Sequence, residues 1–345
     1  MKKQEIIDFI LTNGNKFQKY IIDRDVLSID KNSPYMLDLQ EQIINSKEVR
    51  KILRCQSENG WFGEFLHGGA GGAMDGSVSK LKALGVESHH EFMRKAKQAL
   101  YADEYPSKAR RFYPPVEEYN FSRAQTLANL HIDGEKADEL LVKFQNHLLD
   151  KYKNAAHITS LDEVSKEIIS AKFTPGSRVY YPDKDYSFPW PSDFIVLGSS
   201  LNWKTPETTS IITAAMENVA RLAPIPAIFN LQNKRYIGPI CGYAKFDLYD
   251  DCCDILPKGD IVFWFSEYNY LCKICNIQQL PYYFRQAEKL AERIKNDSLI
   301  NKMSDDALKA IESYGFSGKW KDETQKKLDV YYKVLQILHN ANIDF

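Results

Sequence analysis

The run Ile52-Leu-Arg-Cys-Gln-Ser-Glu-Asn-Gly-Trp-Phe-Gly63, with the Glu64 to Val86 segment behind it, decides how the rest of the chain reads. Val49, Leu53 and Gln56 keep helical spacing up to Asn59-Gly60, a dipeptide that tolerates positive φ and ends a helix or makes a tight turn. Trp61 and Phe62 follow at once, so the turn is expected to carry an aromatic plug that packs between neighbouring helices. Met74, Val78, Leu81 and Leu84 then share one face of a second helix, which runs to Gly85 as its C′ residue. The stretch reads as helix, turn, helix.

Outward from it the helical period recurs. Residues 2–12 form a short amphipathic helix closed by Asn13-Gly14, and Ser33-Pro34 opens another, with Ser as N-cap and Pro at the first helical position. Phe92, Ala96 and Leu100 mark a helix that ends near the proline-rich loop from Tyr105 to Pro115. Ala124 to Ile132 echoes Ser79 to Val86 with Leu130 in the place of Leu84, an offset that suits paired-helix repeats. Leu141, Phe144 and Leu148 line the helix after it. Ser160 and Glu163 make a capping box that predicts a helix through Leu161, Val164, Ile168 and Ala171, and Thr205-Pro206-Glu207 opens a long one. Between these two, Arg178 to Trp190 reads as an ordered loop or small hairpin that could form one lip of a pocket. Pro224-Ile-Pro and Tyr236-Ile-Gly-Pro interrupt the pattern, which returns from Phe284 to Leu338. The expected fold is all-α, with paired-helix repeats in a single domain over residues 1–345.

The order Leu53, Gln56, Gly60-Trp61 and Gly63, followed by the Ser-Lys-Leu-Lys-Ala-Leu-Gly helix, resembles one repeat of the α/α-toroid proteins, the squalene-hopene cyclases and protein prenyltransferase β subunits. The resemblance implies a complete or partial toroid with a central cavity. It carries no catalytic residue across: the Asp-x-Asp-Asp run with which squalene-type cyclases protonate their substrate does not occur here.

Composition narrows the setting. With 44% hydrophobic residues the chain can bury a sizeable core, and no apolar run approaches the roughly 18–20 residues that span a bilayer. Lys2 and Lys3 lead into acidic residues instead of a signal-peptide core, so a cytoplasmic protein is expected. A formal charge of −1 gives no global attraction to nucleic acid. Six cysteines in such a chain are expected to remain thiols.

Four groups of residues could carry chemistry. Glu64, His67 and Asp75 lie just beyond the turn, and a histidine near two carboxylates can do acid–base work or hold a metal. Gly68 to Gly72, next to them, could cradle an anion or simply bend. Asp250, Asp251 and Asp254 match the Asp-Asp-x-x-Asp run that holds magnesium diphosphate in isoprenoid synthases, although no second acidic motif follows; a solvated acidic turn is the alternative. Cys252, Cys253, Cys272 and Cys275 allow a zinc site, against a plain core role for the Cys272 face. Trp61, Tyr181, Trp190, Trp264 and Tyr268 could line an apolar cavity if they gather at one end of the helices.

Three functions follow from these groups. The first is a helical protein that binds an isoprenoid-like or other apolar small molecule, or a protein partner, in a central cavity. The second is a Mg²⁺-dependent enzyme acting on a prenyl diphosphate through Asp250, Asp251 and Asp254. The third, disfavoured by the charge balance, is a nucleic-acid binder using Lys108, Arg110 and Arg111.

Overall fold

The computed structural model describes residues 1–102, 121–132, 134–181, 188–232, 235–241, 251–316 and 319–345. Several helices begin where the sequence supplies a cap. After α1 (Lys3–Asn13), Asn15 accepts the Phe17 and Gln18 N–H groups and opens α2 (Lys16–Asp25). Ser33 caps α3 (Pro34–Ile44) with Pro34 in the first turn, and Ser46 caps α4 (Lys47–Leu53). Then follow α5 (Met74–Ala83), α6 (Glu91–Tyr101), α7 (Phe121–Leu130) and α8 (Glu139–Ala155).

Although no domain boundary is legible in the sequence, backbone packing separates two compact units. The first comprises Phe9–Gln145 with Ser199–Trp203. In it α5 packs on α4 and α7, α7 also meets α6, and α2 lies on α3. Its core holds Val78, Leu81, Leu84, Ala96, Leu100 and Leu127, with Met93 buried in place of the expected Phe92, which is half-buried.

The second unit comprises Met1–Asp8, Asn146–Gly198 and Lys204–Phe345. It contains α9 (Asp193–Ser199), α10 (Pro206–Leu222), α11 (Cys252–Ile255), α12 (Ile261–Ile274), α13 (Pro281–Lys295), α14 (Asp305–Tyr314) and α15 (Glu323–Asn340). α12 packs against α14 and α15, and α13 against α11 and α15. The expectation of a mainly helical chain holds.

A small sheet interrupts the helices. Its strands β1 (Ser165–Glu167), β2 (Arg178–Tyr180), β3 (Ile228–Gln232) and β4 (Arg235–Cys241) lie in that order, antiparallel, parallel and antiparallel, with a register shift between Ile228 and Asn230. β1 corrects one expectation. The capping box at Ser160 and Glu163 is formed, but it caps only a 3₁₀ turn at Leu161–Glu163. Beyond it the Ile168 N–H goes to the Ser177 carbonyl at 2.8 Å, Ser165 to Glu167 pair with Arg178 to Tyr180, and the Arg178 guanidinium donates to the Ser165 carbonyl at 2.7 Å. Strand pairing with distant residues overrides a helical period that Val164 and Ile168, both β-branched, support only weakly.

A second correction concerns the opening stretch. α4 stops at Leu53 rather than at Asn59, because the chain turns back on itself. Gln56 bridges to Phe62 in antiparallel fashion, the Ser57 N–H donates to the Trp61 carbonyl at 2.8 Å, and the Gly63 N–H donates to the Cys55 carbonyl at 3.0 Å.

Candidate functional site

The turn at Gly60 anchors the site. Gln56 Nε2 donates to the Gly60 carbonyl at 3.0 Å and to the Phe92 carbonyl of α6 at 2.8 Å, so one side chain ties the turn to a helix 36 residues on. Gly60 has φ +91°, and a Cβ there would run into the Lys95 carbonyl. Trp61 and Phe62 are the expected plug, 1% and 0% exposed.

The segment from Phe65 to Ala73 then folds back over the start of α5. Phe65 and Ala73 form a parallel bridge, Gly72 and Ala73 donate to the Gly69 carbonyl at 3.1 Å, and Gly71 donates to Ser77 Oγ at 2.8 Å. A Cβ at Gly76 would collide with the Gly68 carbonyl, so glycine at 76 is what allows this closure.

Asp75, in the first turn of α5, is buried at the centre of the fold-back. Its Oδ1 accepts the Gly68 N–H at 3.0 Å and the Gly76 N–H at 2.6 Å, while its Oδ2 lies 2.6 Å from His67 Nδ1. An ionised carboxylate only accepts, so Nδ1 is the donor and Nε2 becomes the ring nitrogen that can take up and release a proton. The carboxylate side chain is 4% exposed and the imidazole 60%. Its hydrogen bond to Asp75, aided by the carboxylate's charge and opposed by partial burial, raises the His67 pKa above the ordinary histidine value. A buried, triply held carboxylate orienting a solvent-facing imidazole is the arrangement general acid–base catalysis needs. Glu64 is exposed, and its N–H donates to the Gly72 carbonyl at 3.0 Å.

The aspartate run behaves differently. Asp250 lies outside the described residues, as do Lys108, Arg110 and Arg111. Asp251 caps α11, with Oδ1 accepting the Cys253 N–H at 2.8 Å and Oδ2 paired with the Lys289 ammonium. Burial opposes its charge, but Lys289 and the Cys253 N–H outweigh this and hold the carboxyl below its usual range. Asp254 is exposed. One carboxylate oxygen of Asp251 and the sulfurs of Cys252 and Cys253 lie within 4.8 Å of one another. That donor set, with an ammonium already on its only carboxylate, does not fit Mg²⁺, which demands near-octahedral oxygen coordination. Burial pushes the Cys252 thiol well up, away from the thiolate a soft metal requires. Cys272 and Cys275 are buried at the end of α12, where Cys275 Sγ donates to the Leu271 carbonyl at 3.2 Å and burial pushes its thiol up to about 12.

Among the aromatic residues, Trp264 and Tyr268 are fully buried and stack at 4.8 Å, and the Tyr268 hydroxyl donates to the Tyr283 carbonyl. Tyr181 is half-buried, its N–H donating to the Val164 carbonyl at 3.0 Å. The half-buried Trp190 donates its N–H to Asp193 Oδ2 at 3.0 Å.

Two groups escaped the sequence reading. Asp193 and Lys151 form a buried ion pair at 2.5 Å, 2% and 4% exposed at their side chains. Neither residue carries a local signal, since Asp at a helix start and Lys on an amphipathic helix are ordinary. Glu267 was legible in principle as the one acid in the apolar run Ile261 to Tyr268. It is 5% exposed, its Oε2 has no partner among the described residues, and burial pushes its carboxyl up to about 8.

No protein-family model, no curated protein and no solved structure matches the chain.

Proposed function

We propose that the chain is a helical-repeat protein of the squalene-cyclase and prenyltransferase resemblance that binds a small molecule over the 67–72 loop and moves a proton with His67. The observation that carries this reading is the His67–Asp75 pair: a 2.6 Å contact to a carboxylate whose other oxygen is held by two backbone N–H groups. Such triple restraint fixes the ring's tautomer and direction, which a solvated surface histidine does not need. In this reading His67 is the acid–base group, Asp75 its positioning residue, and the glycine loop supplies close backbone approach to a ligand.

The repeat part of the proposal draws support from the first unit. α5 packs on α7, and Ser79 and Gln125, equivalent positions in the two sequence copies, hydrogen-bond at 3.2 Å. An apolar body for the ligand follows from the resemblance.

The test is a turnover screen of the purified chain on carboxylic and phosphoric esters and on compounds with an acidic C–H next to a carbonyl. Any activity found is expected to fall about 10²-fold or more in His67→Gln, the usual range for losing a general acid–base. Activity that survives His67→Gln unchanged would overturn the proposal.

A further inference from the structure

The first unit carries a second feature, independent of His67. α4 has two opposed faces. Val49 and Ile52 are buried, while Lys47, Arg50, Lys51 and Arg54, spaced i, i+3, i+4 and i+7, are exposed together on the other side. With Asn45 they line an open pocket of about 470 Å³ that no carboxylate enters. Arg50 donates to Asn45 Oδ1 at 2.7 Å, and no described acid pairs with any of the four cations. Glu48, the helix's only acid, lies on the flank outside the pocket lining.

Helix stability does not account for this face. Arg50 and Lys51 in the last turn, with Arg54 as C-cap, suit the negative end of the helix dipole. Lys47 sits at the positive end, where a cation is repelled, and it faces both Arg50 and Lys51 as like charges. An anion bridging the four side chains would relieve the repulsion along this face.

We propose that this pocket binds a small molecule bearing two or more phosphate groups. Arginine forks and lysine ammonium groups are the side chains that recognise phosphate oxygens. The volume lies within the range of small-molecule pockets, about 300–1,000 Å³. The lining has no aromatic side chain on which a base could stack, which sets it apart from a single-stranded nucleic-acid groove.

Calorimetric titration of the full chain with inorganic tripolyphosphate tests the proposal. Binding that weakens with salt is expected, and the Lys51→Gln/Arg54→Gln double variant is expected to lose about tenfold or more in affinity. Both residues are exposed, so the variant should fold, and an unchanged circular dichroism melt checks that it does. Lys172→Gln/Lys302→Gln, at exposed positions of the second unit, is expected to bind as the parent chain does. His67→Gln should bind normally as well, so failure of the acid–base proposal would leave this one standing. No binding by the parent chain, equal binding by the Lys51→Gln/Arg54→Gln variant, or tighter binding of a single-stranded oligonucleotide than of tripolyphosphate would each overturn it.

Discussion

Two buried carboxylates, Asp75 at the start of α5 and Glu267 within α12, meet opposite fates in the two units. Asp75 has two backbone donors and an imidazole within hydrogen-bond reach, whereas among the described residues Oε2 of Glu267 has no donor and no cation compensates its charge. Burial is similar, 3% against 5% exposure, so solvent access is not what separates them. Local partners are. A buried carboxylate that receives donors is fixed in place and can orient a neighbour, and one that receives none holds its proton more tightly and becomes a liability as pH rises.

The pair Lys151–Asp193 offers the most forceful test of that contrast. Asp193→Ala would leave a buried ammonium and the Trp190 N–H without their acceptor. A loss on the order of 3–5 kcal/mol is expected in urea unfolding, a large share of a typical domain's stability. A loss below about 1 kcal/mol would mean that the ammonium escapes to water and that partners matter less than supposed.

Glu267 gives a smaller effect of opposite sign. Its folded pKa of about 8 lies above the ordinary 4.5, so between those values the unfolded chain has released a proton that the folded chain retains. Stability therefore falls as pH rises through that window and levels off above it. Glu267→Gln removes this slope and should stabilise the protein by on the order of 3 kcal/mol at pH 7, with little effect near pH 4. Melting curves across pH that run parallel for the parent and the variant would show that Glu267 ionises freely.

What the sequence made legible follows the range of the interactions involved. Caps and apolar periods act over a few residues, and Ser33-Pro34, Thr205-Pro206 and the Met74 to Leu84 face all appear where their local chemistry puts them. Gly60 also reads correctly as a turn residue because it needs positive φ, whereas Gln56, placed on the helix by its spacing, lies beyond the helix end and bonds across the turn. The sheet was not legible, since β1 forms by pairing with β2 and β2 is held in turn by Ile228 and Phe229 of β3, fifty residues on. At the site, His67 and Asp75 were named for their nearness in sequence, but the fold-back that joins them depends on Gly68 and Gly76 approaching within steric reach. The basic face of α4 has helical spacing in plain view; what singles it out is that no described carboxylate pairs with it, which no sequence reveals.

The most direct measurement is an NMR titration of the histidine ring carbons in the parent chain and in Asp75→Asn. His67 is expected to titrate above the ordinary histidine value of 6.5 and to fall back toward it when the carboxylate is replaced by an amide. Stability linked to the pair should be present below pH 6.5 and lost as pH rises through the raised value. A His67 that titrates at 6.5 in both proteins would contradict the assignment of Asp75 as the group that holds the imidazole, and with it the proposed acid–base site.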